Sequence, residues 1–307
     1  MLKRVLVTTA VLSFGAGGTA VADPKFEYGK KEDAKVDPKL GKDTEYNASV
    51  EAGAVFTTGN SETTTATAGA KVSRKRGDNK LGVEGSVAYA KSSTRVATDD
   101  NMDGVIGPTD TIATKEQVTA EQFAGKVRYD RFLTDFNSLF IAGLVSRDLP
   151  AGKREVLGGQ AGYSRRLYKS EKAEAVAEIG YDYSHEGLVG GNNVSIHSAR
   201  GFLGYKAEMS EGVTWDSSIE ALTNLNHESL TTTDHRDATF GEDTRVNIKL
   251  AIAAKVGKNL AFQTSLEAHF DNRPAPLKLD GKLADDFVPS ATKIDTIMKA
   301  SLIYTIF

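Results

Sequence analysis

From Tyr46 almost to the last residue, hydrophobic and polar positions alternate with a period of two. Tyr46, Ala48, Val50, Ala52, Ala54 and Phe56 are interleaved with Asn47, Ser49, Glu51 and Gly53, which is the template of a strand with one apolar face and not of a helix. The same alternation runs through Ala175 to Ser184, Arg245 to Ala254 and Leu260 to Phe270, and looser versions occupy about 62–74, 80–92, 119–131, 137–148, 155–168, 195–209, 213–226 and 294–307. Twelve strands of about a dozen residues are thereby predicted. They exceed the five or six residues usual in globular sheets and approach the length of a tilted membrane strand.

The connections fall into two kinds that alternate. Arg76 to Asn79, Thr134 to Phe136, Lys169 to Lys172, Ser210 to Gly212 and Gly257 to Asn259 are short and carry turn residues. Between them lie longer polar segments at about 93–118, 149–154, 187–194, 227–243 and 272–293, with the first connection, around Gly59 and Asn60, short where a long one is due. An even strand count with both termini at the short-turn end predicts an all-β fold: a transmembrane antiparallel up-and-down β-barrel, with short periplasmic turns and longer extracellular loops. A soluble sandwich or lipocalin-like barrel would share the alternation but turn its apolar face inward. The strand length, the many charges at polar positions and a chain that stops at Phe307 within an apolar strand favour the membrane form. Trp215, Tyr205, Phe262 and Phe307 suit one interfacial girdle, and Phe56, Tyr89, Tyr183 and Phe270 the other.

Composition narrows the possibilities. The 307 residues are 40% hydrophobic and contain no cysteine, which excludes disulfides, thiolate zinc sites, iron–sulfur clusters and cysteine nucleophiles. With 38 basic and 41 acidic residues the net charge is -3, and no basic excess is present to hold nucleic acid. Lys3 and Arg4, the apolar run Val5 to Phe14 and the Ala20-Val21-Ala22 ending form the layout of a secretory signal peptide at 1–22. Residues 23–44 read as a charged periplasmic linker, and 45–307 as the barrel.

The segment Gly53 to Thr63, Gly-Ala-Val-Phe-Thr-Thr-Gly-Asn-Ser-Glu-Thr, and the segment Tyr129-Asp130-Arg131-Phe132-Leu133-Thr134-Asp135 resemble motifs of the YdiY-like salt-induced outer-membrane proteins, a bacterial family whose shared domain has no assigned function. A glycine-rich strand at Gly158 to Tyr163 and the terminal Phe307 continue the likeness in the same order. The resemblance implies a bacterial outer-membrane location, contact with outer-membrane lipid, and recognition of the strand ending at Phe307 by the barrel assembly machinery. It brings no catalytic residues. The last strand departs from the usual pattern, since Tyr304 is out of phase with Phe307 and Lys299 is in phase with it.

Candidate chemistry lies in the loops. Asp99, Asn101, Asp103 and Asp110 stand at positions one, three, five and twelve of a segment with Gly104 at six and Ile106 at eight, the spacing of a calcium loop. Aspartate replaces the usual bidentate glutamate at the twelfth position, which points to weak Ca²⁺ binding, roughly 10⁻⁴ to 10⁻³ M. The five histidines, His185, His197, His227, His235 and His269, all map to the loop end; they match no compact metal motif. His185-Glu186 and His227-Glu228-Ser229 supply hydrolase residue types, but neighbours in a strand face opposite ways, and no enzyme is expected. Glu51, Glu84, Glu178, Asp182, Glu220 and Glu267 alternate inward beside Lys126, Arg128, Arg200, Arg245 and Lys249. These charges either line a narrow path or pair across the bore as a plug. The expected role is a narrow channel or an envelope structural protein linked to salt or osmotic stress. A calcium-dependent loop-based binding protein is the alternative, ahead of a membrane-embedded hydrolase.

Overall fold

The structure, a computed structural model, describes residues 44–57, 62–98, 111–149, 152–189, 193–228, 237–274 and 293–306. In chain order its strands are β1 (Thr44–Thr57), β2 (Glu62–Arg76), β3 (Asn79–Thr98), β4 (Thr111–Phe132), β5 (Asn137–Asp148), β6 (Lys153–Lys169), β7 (Ala173–Leu188), β8 (Val194–Ser210), β9 (Val213–Asn224), β10 (Thr244–Lys255), β11 (Leu260–Asp271) and β12 (Ile294–Thr305). Each pairs antiparallel with the next, and β1 with β12, so the sheet closes on itself and leaves no free edge. Closure takes the twelve strands predicted from the alternation.

The period of two sorts the side chains. On β3, Leu81, Val83, Val87 and Tyr89 are exposed on the outer wall, while Glu84, Ser86 and Ala88 face the bore. On β12, Met298, Leu302 and Tyr304 are exposed outside, and Lys299 points inward to Glu267. The apolar face is thus outward and the polar face inward, the reverse of a soluble barrel. The buried interior is accordingly polar, with Lys126, Glu178, Arg200 and Glu220 among its members.

Short turns join the strands at one end. Gly77 and Gly212 there adopt φ of 54° and 75°, left-handed conformations that a residue with a Cβ enters at a cost. The other end holds the longer connections, with one correction. The loop expected over 93–118 is largely strand, because β3 and β4 stay in register up to Thr98 opposite Thr111. The hairpin rises as a ribbon, braced by a Lys91–Glu116 ion pair, beyond a register shift at Ala90/Lys91. At the seam, β1 and β12 share four registered pairs, from Ser49–Thr305 to Ala52–Leu302. The signal-peptide and linker segments, and Phe307, lie outside the described residues.

Candidate functional site: the lumen and its outer mouth

A hydrogen-bonded chain of charges crosses the middle of the bore. From β4, Arg128 donates to Glu178 on β7 at 2.6 and 3.1 Å, and to Asp130 at 2.7 Å. Arg200 on β8 donates to Glu178 at 2.8 Å and to Glu220 on β9 at 2.5 Å. The chain continues through Asn247 on β10, which donates to Glu220 at 3.1 Å, to His269 on β11, whose Nδ1 donates to Asn247 at 2.9 Å. Arg128 and Glu178 are separated along the wall by β5 and β6, roughly 14 Å of sheet at the usual strand spacing. Their contact therefore spans the lumen as a chord.

The chord rests on an aromatic ring. The Arg128 guanidinium carbon is 4.1 Å from the centroid of Phe140 on β5, and that of Arg200 is 5.6 Å away, within cation–π range. Gly162 on β6 and Gly180 on β7 are directly opposed. A Cβ built on Gly162 would come within 2.9 Å of Phe140 Cε1, so the glycine makes the space in which the ring lies.

A second tier of ion pairs lies nearer the loop end. Glu186 on β7 accepts from Lys153 at 3.0 Å and from Arg245 on β10 at 2.6 Å, and Arg245 also donates to Asp243 at 2.8 Å. Above it, the β9–β10 connection is tied down. Asn224, fully buried, donates to the carbonyls of Asn226 and Thr239 at 2.8 and 2.9 Å and accepts the Asp243 N–H at 3.0 Å. Glu228 and Ala238 form a two-residue bridge, and Ala238 packs with Val194 and Ile196 in a small apolar core. This fold buries Glu228 to 3% exposure with neither carboxylate oxygen hydrogen-bonded to a donor. Burial and the adjacent Asp243 carboxylate push its carboxyl up to about 8. At neutral pH Glu228 is therefore a protonated acid.

Cavities remain beside the braces. A cavity of about 120 Å³ is lined by Ser49, Thr67, Ser86, Gln263, Ser265 and Ser301 together with flanking charges, on the β1–β3 and β9–β12 walls. It meets a second, of about 60 Å³, at Asn247 and His269, and a third, of about 30 Å³, at Glu51, Thr67, Ser86 and Lys299. One water needs some 10–15 Å³ of such space, so each of the three has room for water. The inward wall of the first is small and polar because serine, threonine and glycine recur at the lumen positions of these strands.

The acids and bases expected in the lumen are there, and the structure assigns partners to most of them, Arg128, Glu178, Arg200, Glu220, Arg245 and Glu267 among them. Asp99, Asn101, Asp103 and Asp110, the proposed calcium ligands, lie outside the described residues. The histidines do not gather. His269 faces the lumen, His185 and His197 face outward, where His185 meets Ser195 at 2.9 Å and His197 meets Tyr181, His227 is exposed in a loop, and His235 is not described. No group of three or more metal-ligating side chains occurs among the described residues. Glu186 is on the lumen side of β7, opposite to His185, so the pair forms no catalytic unit. Asn224, Asn247 and Phe140 escaped the sequence reading because uncharged inward residues carry no mark of their across-bore partners.

Residues 50–306 match the model of a family described as "protein of unknown function, DUF481". No curated protein matches the chain. Among solved structures, the NanC porin overlaps with a TM-score of 0.43 at 9% identity, covering 84% of this chain and 98% of that one. A FadL homologue of Pseudomonas aeruginosa overlaps at 0.39 and 13% identity, with 86% and 76% covered. An anion-selective porin from Comamonas acidovorans overlaps at 0.35 and 10%, with 86% and 99% covered.

Proposed function

Since the chain belongs to the DUF481 family, whose description names no activity, its role is read from its own walls, and we propose that it is an outer-membrane barrel that passes small hydrophilic solutes or ions along a narrow, off-axis path. The observation that carries this reading is the open, small-residue cavity left beside the ion-paired braces of the lumen. The outward apolar band supports a place in a membrane, and closed barrels are the β-form that a bilayer accepts. No step in this role calls for a catalytic group. The link to salt stress rests on the motif resemblance, and protein level after a salt upshift tests it.

Planar-bilayer recording of the refolded mature chain tests the channel. Discrete conductance steps well below those of a wide porin are expected, since twelve strands enclose a smaller bore and ion-paired side chains cross it. Stable insertion without steps in any salt would leave the braces as a complete plug and the protein as a structural barrel.

A further inference from the structure

The cavity on the β1 side is bordered by four acids, Glu51, Glu84, Glu220 and Glu267, and three lysines, Lys71, Lys249 and Lys299. Nearly all are engaged. Glu220 is held by Arg200 and Asn247, Glu267 accepts from Lys299 at 2.9 Å and lies 3.8 Å from Lys249, and Lys71 and Glu84 each have a partner. Glu51 differs: among the described residues no hydrogen bond or ion pair reaches its carboxylate. It stands opposite Gly69 on β2 and Ile303 on β12, and it lines both the 120 Å³ and the 30 Å³ cavities. That shared position makes it part of the neck between them, with Thr67, Ser86 and the neutralised Lys299.

The backbone has a seat for this side chain. A Cβ on Gly69 would fall 2.7 Å from Glu51 Oε1 and 2.8 Å from its Cγ, so the carboxylate lies flat against the glycine. There it contributes to the wall a negative charge that has no ion-pair partner among the described residues. In a constriction bounded by low-dielectric walls such a charge concentrates cations and repels anions.

We propose that the path is selective for small monovalent cations and that Glu51, seated on Gly69, sets the selectivity. The inference rests on the channel reading and adds the sign of the transported charge. Its test is the reversal potential of the refolded barrel in a tenfold KCl gradient. The wild type is expected to prefer K⁺ over Cl⁻ by roughly threefold or more, as a wall potential of about kT or above gives. Glu51→Gln should bring the ratio close to one with the steps retained. Gly69→Ala keeps the charge but removes its seat, and should shift the ratio in the same direction. An open pore that prefers Cl⁻, or that keeps its preference in Glu51→Gln, overturns the inference and spares the channel. A wild type that inserts and stays silent overturns the channel reading, and this inference with it.

Discussion

Arg200 has no solvent-exposed side-chain surface and is the link between Glu178, equally buried, and Glu220. Removing one partner of a buried charge cluster strands the others in a medium that solvates them poorly, at a cost of about 3–5 kcal/mol. Arg200→Met should therefore lower barrel stability by about that amount in urea titrations followed by heat-modifiable mobility. Arg200→Lys keeps the charge but lacks the two-sided fork that serves both acids, and should recover only part of the loss; equal stability of all three proteins would remove the network from the structural account. Glu228 gives a residue-level dependence on pH. Its carboxyl titrates near 4.5 when unfolded and at about 8 in place, so the folded loop holds a proton that the open loop releases. The stabilisation is complete below about 4.5, declines as pH rises, and is gone once pH passes about 8. Protease cleavage within the β9–β10 connection should accordingly quicken between pH 6 and 9, and Glu228→Gln, which stays neutral, should flatten that rise. Cleavage that is independent of pH in both proteins would contradict it.

At the scale of the strands, the facing glycines of β6 and β7 decide where an aromatic brace can lie. A methyl group at Gly162 meets both Phe140 and the backbone of β7, and overpacking of this sort costs about 1–3 kcal/mol. Gly162→Ala should be destabilised by that amount, whereas Gly143→Ala on β5, where a Cβ meets nothing within 4 Å, should unfold like the wild type. The contrast is read in the same urea titration, and matching losses would show that Phe140 has room to move. The strands themselves were largely legible, because lipid on one face and water on the other impose a strict period of two on the residues between Tyr46 and Tyr304. The upper parts of β3 and β4 were not. Ser92, Ser93 and Thr94 pair with Gln117, Glu116 and Lys115, so this stretch of the ribbon has no apolar face, and the ladder persists where the alternation has ended. Inward charges such as Arg128 and Glu178 could be assigned to the lumen from parity, yet their pairing could not, since a contact between strands three apart depends on the barrel's radius and tilt and not on neighbouring sequence.

For the whole molecule, two chords, Arg128–Glu178 from β4 to β7 and Arg245–Glu186 from β10 to β7, brace the bore, and the cavity lined by Ser265 and Ser301 lies beside them toward β11, β12 and β1. Transport through a barrel of this size then depends on which side is obstructed and not on its mean diameter. Ser265 on β11 lines the open cavity, and its neighbour Thr264 is exposed on the outer wall. A one-residue step along a strand exchanges lumen for lipid. Ser265→Trp should place an indole in the path and cut single-channel conductance by roughly tenfold or more, an exponential sensitivity expected when the remaining width approaches that of a hydrated ion. Thr264→Trp adds the same ring to the membrane face, where aromatic side chains are well accommodated, and should conduct like the wild type. Both proteins are scored for folding before recording, so that a lost channel is not mistaken for a lost barrel. If Ser265→Trp folds and conducts undiminished, ions do not pass on the β11–β12 side and the off-axis path is wrong; if both variants lose conductance alike, the effect is on the sheet and the lumen asymmetry does not control flow.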